Sequence, residues 1–319
     1  MPRQADDKPG RQTARALNDD APDVLVRLVL PLLFVVLYSS GYIASKTGTF
    51  YTGPMTFLVL RLLIPIFFLG IIIKLTKAPW PKTALEALHI AVAGILLHVV
   101  CFGGALLAFK LGVEAGVVAL ISGVHPVLVT VLAGLMLGER SNRYHQIGLL
   151  VGLLGVVLVV WHKLENGVGT KVGFVAAVLS LCGLSGNALY QKRFCQRMDL
   201  RTGSIIQHGA AAMVVAFPAI YLEGFSVDWS LPLGIALLWS GIVLSLGALM
   251  IFFTLIRHGA VSKTQAMFFL VPPTTAVLGW VFFSELPSSS YLIGLLLTVA
   301  GVSMVNLVPT VRTTGKAEA

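Results

Sequence analysis

The sequence predicts an all-α integral membrane protein with ten transmembrane helices, arranged as two inverted five-helix repeats. Three observations predict this fold class. Hydrophobic residues make up 56% of the chain and charged residues only 12%, whereas a soluble domain carries about 25% charged residues. Ten apolar runs are each long enough to cross about 30 Å of hydrocarbon as a helix. Features of the first half of the chain recur in the same order in the second half.

Short polar segments separate the ten apolar runs. We expect a disordered cytoplasmic tail over residues 1–25, because this stretch is polar, charged and rich in helix breakers. A second cytoplasmic tail is expected over residues 310–319. Five spans between the tails form the first repeat (26–161) and five form the second (172–309). The spans are predicted at residues 26–45, 55–73, 87–109, 115–137, 145–161, 172–190, 204–222, 232–255, 260–283 and 291–309.

The net charge of +9 does not indicate a nucleic-acid partner, because the charges form short clusters between apolar runs. Most lysines and arginines lie in segments on the same side of the predicted membrane as the N-terminus. Basic loops favour the cytoplasmic side, so both termini are predicted to be cytoplasmic. With no organellar targeting segment in the sequence, we expect the plasma membrane, which in a bacterium is the cell inner membrane.

An internal repeat is visible at an offset of 146 residues. Each repeat would hold five spans, an odd number, so the second copy enters the membrane from the opposite side. Inverted repeats are typical of transporters whose substrate site lies near the midplane, where the repeats meet. The matched pairs are Pro126 with Pro272, Glu139 with Glu285, Gly148 with Gly294, and Gly155 with Gly301.

Several of these motifs resemble the drug/metabolite transporter superfamily, in particular its EamA-type ten-helix members. The opening segment 40–46 (SGYIASK), followed by Pro54 and Arg61, is similar to the family's start, although Ser40 stands where the family typically has tryptophan. The resemblance continues through the His125-Pro126 pair and the segment 137–140 (LGER), and it covers residues 26–309. It implies ten helices, cytoplasmic termini and transport of small metabolites.

The predicted function is secondary transport of small organic metabolites, such as amino acids or related compounds, by alternating access through a central cavity. Export is the expected direction, and coupling to protons is left open. The alternatives are a membrane-embedded enzyme acting on lipid-like substrates and a non-transporting scaffold. We expect no enzymatic activity, cofactor or metal site, because the sequence has no Walker A loop, no HExxH motif and no CxxC pair. The partners expected are the lipid bilayer, the solute and, at the glycine-rich helix faces, a neighbouring helix or a second protomer.

Polar and aromatic side chains within the apolar spans are the candidate substrate contacts, because such groups are costly in lipid and usually face a partner or a wet cavity. Tyr38 and Tyr42 are four residues apart and share one helix face. His98 and His125 are of a type that titrates near neutral pH, as proton coupling would require, but each could equally be a neutral interhelical hydrogen-bonding group. The predicted set is Tyr38, Tyr42, Lys46, His98, Phe102, Ser122, His125, Asn187, Tyr190, Trp239 and Gln265.

Three prolines within predicted spans, Pro126, Pro272 and Pro273, remove backbone donors and bend helices. We expect them to shape the cavity or to take part in gating, with a static kink as the alternative.

Three further charged residues are interpreted as structural. Arg61 is expected to bind backbone carbonyls or to reach the headgroups, with an anion contact as the alternative. Glu139 and Glu285 are expected to cap helices or form ion pairs at the membrane surface.

Overall fold

The protein is helical throughout the residues that the computed structural model describes, which are 29–137, 143–248, 251 and 270–306. No strand occurs in these ranges, although Thr52 and Val227 form an isolated antiparallel β-bridge. The helices in chain order are α1 (Leu30–Tyr51), α2 (Pro54–Thr76), α3 (Ala84–Lys110), α4 (Ala115–Ser122), α5 (His125–Leu137), α6 (Arg143–Glu165), α7 (Lys171–Phe194), α8 (Leu200–Tyr221), α9 (Leu231–Leu238, continued by a π-helical stretch, Trp239–Ala248), α10 (Val271–Phe283) and α11 (Ser289–Asn306).

The lengths and compositions of these helices confirm an all-α membrane fold. Five described segments are long and apolar enough to cross a membrane, and they belong to α2, α3, α6, α7 and α8. Shorter apolar helices occur in α4–α5, α9, α10 and α11. Helix α1 has 22 residues, which is enough to cross the hydrocarbon, but its second half carries tyrosine, serine and lysine side chains. Helices α4 and α5 follow each other directly, interrupted only at Gly123 and Val124.

The turns after α1, α3, α6, α8 and α10 lie on one face of the bundle, which we call the tight-turn face. The Thr52–Val227 bridge joins two of these turns, and the Asp228 N–H donates to the Tyr51 carbonyl at 2.9 Å. The Glu223 carboxylate accepts from the first backbone N–H groups of α2, including that of Thr56 at 2.7 Å. When successive helices cross the membrane in alternating directions, every second turn lies on the same side. The contacts between these turns agree with that arrangement.

Helices at equivalent positions of the two halves pack against each other. Helix α2 begins at Pro54 and α8 at Leu200, an offset of 146 residues, and the two helices share a core that includes Phe57, Leu58 and Val215. Helix α6 begins at Arg143 and α11 at Ser289, again 146 residues apart. Packing between equivalent helices is expected when an approximate two-fold axis relates two repeats.

Glycines allow α6 and α11 to approach with their backbones in contact. A Cβ atom added to Gly301 would lie 2.7 Å from the backbone nitrogen of Gly152, and one added to Gly155 would lie 2.9 Å from the hydroxyl of Thr298. The glycine face of each helix is therefore occupied by the other helix within the same chain. A second protomer would have to use a different surface.

Two π-helical stretches occupy matching parts of the two halves. The first covers Ile95–Gly103 within α3, and the second covers Trp239–Ala248 at the end of α9. A π-helix makes i→i+5 hydrogen bonds, occurs mostly as a single turn and is often found at functional sites. Two long stretches at matching places therefore direct attention to the side chains that α3 and α9 carry there.

Candidate functional site

An arginine on α2 is buried inside the bundle. Arg61 is 8% exposed, so its side chain does not reach the surface. It lies about 10 Å along the helix axis from the start of α2, and its Cζ atom is 4.3 Å from the centroid of the Phe102 ring on α3. A cation–π contact is worth about 0.5–2 kcal/mol, whereas a charge within a span costs about 2.5–3.5 kcal/mol on insertion scales. The ring therefore offsets only part of the cost.

Two histidines lie beside this arginine. His98 lies within the π-helical stretch of α3, and its ring centroid is 5.6 Å from that of Phe102 and 4.3 Å from that of His208 on α8. The Nδ1–H group of His208 donates to the Ser204 carbonyl at 2.7 Å. The Nε2 atom of His98 is buried and has no hydrogen-bond partner among the described residues. A buried polar atom without a partner is uncommon and indicates that a bound molecule or water belongs there.

Two tyrosines from α1 close the same region. The rings of Tyr38 and Tyr42 meet edge to face with centroids 6.2 Å apart. Tyr38 lies near Arg61, and Tyr42 lies near Ser122 of α4. We call Tyr38, Arg61, His98, Phe102 and His208 the central cluster. It joins α1, α2, α3 and α8, so it contains elements of both halves of the chain.

Other predicted contacts lie around this cluster and already have partners. His125 on α5 hydrogen-bonds through Nδ1 to the Ser185 hydroxyl on α7 at 3.1 Å. The indole N–H of Trp239 donates to the Ser40 hydroxyl at 2.8 Å, which links α9 to α1 at the position where the family typically has tryptophan. Trp239 is 36% exposed, so part of its ring remains available for another contact.

The polar residues at the end of α7 are directed to α3. Asn187 donates from Nδ2 to the Ala93 carbonyl at 2.8 Å, just before the π-helical stretch. The Tyr190 hydroxyl hydrogen-bonds to Nδ1 of His89 at 2.8 Å, near the face opposite the tight turns. Both residues make contacts between α3 and α7, and their predicted contact with substrate stays a prediction. We propose that they position α3 against α7.

Lys46, which was also predicted to contact substrate, is held in a buried ion pair at the tight-turn face. Its Nζ atom pairs with Oε1 of Glu285, and both side chains are about nine-tenths buried. The other oxygen of Glu285 accepts from the Ala115 N–H at 3.0 Å, at the first turn of α4. Lys46 also lies 5.3 Å from the centroid of the Phe283 ring. Because its charge is already compensated, Lys46 is not available for substrate in this conformation.

A second ion pair lies on the same face. The Lys163 ammonium at the end of α6 is 2.7 Å from Oε1 of Glu114, in the turn before α4. The Lys110 ammonium donates to the Thr49 carbonyl at 3.0 Å. Together with the Lys46–Glu285 pair, these contacts fasten the ends of α1, α3, α4, α6 and α10 to one another. The structure is therefore closed at the tight-turn face.

The prolines expected to shape the cavity lie in the first turns of helices. Pro126 is the second residue of α5, after the interruption at Gly123 and Val124. Pro272 and Pro273 follow Val271, the first residue of α10. Proline is tolerated in a first turn, because the N–H that it lacks would have no intrahelical partner there. Gln265 and Glu139 lie outside the described residues.

Sequence reasoning overlooked several side chains that the fold brings together. His208 was not among the predicted contacts, yet its ring lies against that of His98. Glu114 and Lys163 were not among the predicted site residues, but they form an ion pair between two different helix ends. The sequence does show an acidic residue directly before one apolar span and a lysine at the end of another, and this pattern could have suggested an ion pair. No group of three or more metal-ligating side chains occurs in the described part of the chain.

Comparison with known proteins relates the whole bundle to one family. The sequence profile of the EamA-like transporter family matches twice, over residues 26–161 and 171–307. Two Bacillus subtilis (strain 168) relatives, YvbV and YoaV, are both named uncharacterized transporters. YvbV is 29% identical over 296 residues, with 89% of this chain and 92% of YvbV covered. YoaV is 23% identical over 287 residues, with 88% of this chain and 97% of YoaV covered.

Two further matches extend beyond these bacterial relatives. A WAT1-related chloroplastic protein of Arabidopsis thaliana is 25% identical over 291 residues, with 88% of this chain and 68% of that protein covered. A solved crystal structure with 20% identity superposes with a TM-score of 0.59, covering 88% of this chain and 96% of its own. At that identity the superposition establishes a shared fold.

Proposed function

Because this chain belongs to the EamA-like transporter family, we propose that it is a secondary transporter of small organic metabolites, such as amino acids or related compounds. Solutes pass through a central site by alternating access, with export as the direction. The relatives named as transporters support transport in general. The solute class and the mechanism are proposed from the buried polar side chains between the two halves of this chain, and export is the direction expected from the sequence.

The observation that carries the proposal is the central cluster. A scaffold or a purely structural bundle has little use for a buried arginine and two buried histidines in the interior of apolar helices, because each is costly in a bilayer. The cluster lies between helices of both halves, and the π-helical stretch of α3 carries His98 and Phe102. A site between two repeats can be exposed to either side when the repeats move against each other.

The orientation is part of the same proposal. Both termini would be cytoplasmic, so the tight-turn face would face the exterior of the plasma membrane. The conformation described would then be closed to the exterior, with its two buried ion pairs as the outer barrier. Transport requires that these pairs separate in the outward-open state.

Uptake into proteoliposomes tests the proposed function. The full chain would be reconstituted, and uptake of radiolabelled amino acids, sugars and nucleotides would be measured with and without a pH gradient. We expect saturable uptake of one class that unlabelled solute of the same class competes away. Catalytic turnover in detergent, with no uptake of any class by correctly oriented protein, would contradict the proposal.

A further inference from the structure

We propose that Arg61 and His98 form a binding subsite for a carboxylate group, so that the solute carried by this protein is a small organic acid or amino acid with one carboxylate at that position. This inference rests on the proposed transport function and deepens it by naming the chemical class of the solute. Arg61 was expected to be a structural charge, with an anion contact as the alternative, and its surroundings favour the anion contact.

The first argument is that no carboxylate in the described part of the chain pairs with Arg61. The ion pairs of Glu285, Glu114 and Asp199 in the described residues are with Lys46, Lys163 and Arg201. The sequence places all 14 of its acidic residues in tails, in turns or at helix ends. The undescribed segment 252–269 contains no acidic residue. Since no carboxylate among the described residues pairs with Arg61, a bound anion would supply that negative charge.

The second argument is the unpartnered nitrogen of His98. Its Nε2 atom is buried and has no hydrogen-bond partner in the described part of the chain, and His98 is 6% exposed. The ring contacts Phe102, the same ring over which the Arg61 guanidinium lies. One carboxylate oxygen would accept from Arg61 and the other from the Nε2–H group of His98. A guanidinium and an imidazole N–H that lie beside the same ring can serve the two oxygens of one carboxylate.

The charge and the walls of the subsite narrow the ligand further. One arginine supplies one positive charge, which matches a single carboxylate, whereas a phosphate monoester carries nearly two negative charges at neutral pH. Lys46 and Lys110 cannot supply the second positive charge, because each is held at the tight-turn face. The rings of Phe102, Tyr38 and Tyr42 lie in the same region, so we expect them to contact the part of the ligand beyond the carboxylate.

Binding of matched ligand pairs to the purified full chain in nanodiscs tests the subsite. Each pair compares a carboxylate with its neutral amide: hexanoate with hexanamide, 3-phenylpropionate with 3-phenylpropionamide, and L-leucine with L-leucinamide. Dissociation constants would come from calorimetry, supported by the ligand-induced shift in melting temperature. We expect at least one carboxylate to bind about 10-fold or more tightly than its amide, because a charge-assisted pair with arginine is lost in the amide.

Variants locate the preference at the proposed residues. Arg61→Gln should abolish the preference for carboxylate over amide, Arg61→Lys should keep part of it, and His98→Gln should reduce it several-fold. Lys74→Gln, which removes an exposed charge from the same helix, should leave it unchanged. If Arg61→Gln does not fold, the carboxylate preference measured in the wild type and in Arg61→Lys still tests the assignment. No carboxylate preference in the wild type, or a full preference in Arg61→Gln, would overturn the assignment.

The same ligands in proteoliposomes separate failure of the subsite from failure of the transport function. Binding of a carboxylate that depends on Arg61, without uptake of that solute, would support the subsite and contradict transport. Saturable uptake of a solute without a carboxylate, unchanged in Arg61→Gln, would support transport and overturn the subsite.

Discussion

The buried ion pair between Lys46 and Glu285 gives the sharpest prediction about how the protein moves. Replacing Glu285 by glutamine keeps the size of the side chain and an oxygen for the Ala115 N–H, but it removes the charge that compensates Lys46. Removing one partner of a buried pair costs about 3–5 kcal/mol. If the pair forms only in the conformation that is closed at the tight-turn face, the substitution destabilises that conformation alone. A cost of about 3 kcal/mol then shifts the equilibrium between closed and open conformations toward the open one by a factor of about 100.

Cys101 is a natural reporter for this opening. It is buried, and its thiol lies near Arg61, beside the central cluster. Replacing Cys182 and Cys195 by serine would leave Cys101 as the single thiol of the chain. A membrane-impermeant maleimide added from the tight-turn face should label Cys101 much faster in Glu285→Gln than in the parent protein, by up to about 100-fold.

Two controls make this experiment decisive. Glu165→Gln removes an exposed carboxylate at the end of α6, where its partner is the indole N–H of Trp161, and should leave the labelling rate unchanged. The double variant Lys46→Met with Glu285→Gln removes the uncompensated charge and should be more stable than Glu285→Gln alone. An unchanged labelling rate in Glu285→Gln, with the protein folded, would refute the role of the pair in keeping this face closed.

Three further predictions concern other parts of the bundle. Gly301→Leu should destabilise the protein by several kcal/mol or prevent folding, because its side chain would meet the backbone of α6; thermal melting in nanodiscs measures this, and a melting temperature equal to that of the wild type would contradict the packing. Trp239→Ala and Tyr42→Ala should each lower the transport rate without loss of expression, and unchanged transport in both would contradict their assignment to the solute path. The hydrogen bond from Arg201 lowers the pKa of Asp199 from 3.8 to about 2. The ionised Asp199 therefore stabilises the folded protein fully above the unfolded-state pKa of about 3.9, and this stabilisation is lost as the pH falls through 2. Asp199→Ala should therefore lower stability at pH 7 by about 1 kcal/mol, through loss of the α8 N-cap, and a melting temperature unchanged at pH 7 would contradict this.

The fold class and the family could be predicted from the sequence because both depend on patterns along the chain. Long apolar runs predict helices in lipid without knowledge of their neighbours. The 146-residue offset that relates Pro126 to Pro272 reappears between the first residues of α2 and α8. Inverted repeats require only an odd number of spans in each copy.

The central cluster could be predicted only in part. Tyr38, His98 and Phe102 stand out as polar or aromatic residues in apolar helices, and the fold brings them together. That His208 lies against His98 depends on how α3 and α8 pack, 110 residues apart in the chain. The π-helical stretches also escape sequence reasoning, because they depend on backbone adjustment to neighbouring helices rather than on a residue pattern.

The ion pairs illustrate a different limit of sequence reasoning. Glu285 was expected to cap a helix or to pair with a charge at the surface, and Lys46 to contact substrate. The two residues are 239 positions apart, and only the packing of α1 beside α10 brings them into contact. A lysine near a helix end gives no indication, in sequence alone, of whether it faces water, lipid, substrate or a distant carboxylate.

Trans-stimulation in proteoliposomes tests alternating access most directly. Vesicles would be loaded with a high concentration of one unlabelled solute of the class that the uptake panel identifies, and entry of the same labelled solute would be followed without any ion gradient. Alternating access predicts that preloading accelerates labelled uptake several-fold and that the label then leaves again as the gradient of unlabelled solute decays. Equal uptake in loaded and empty vesicles, with folded and correctly oriented protein, would contradict alternating access.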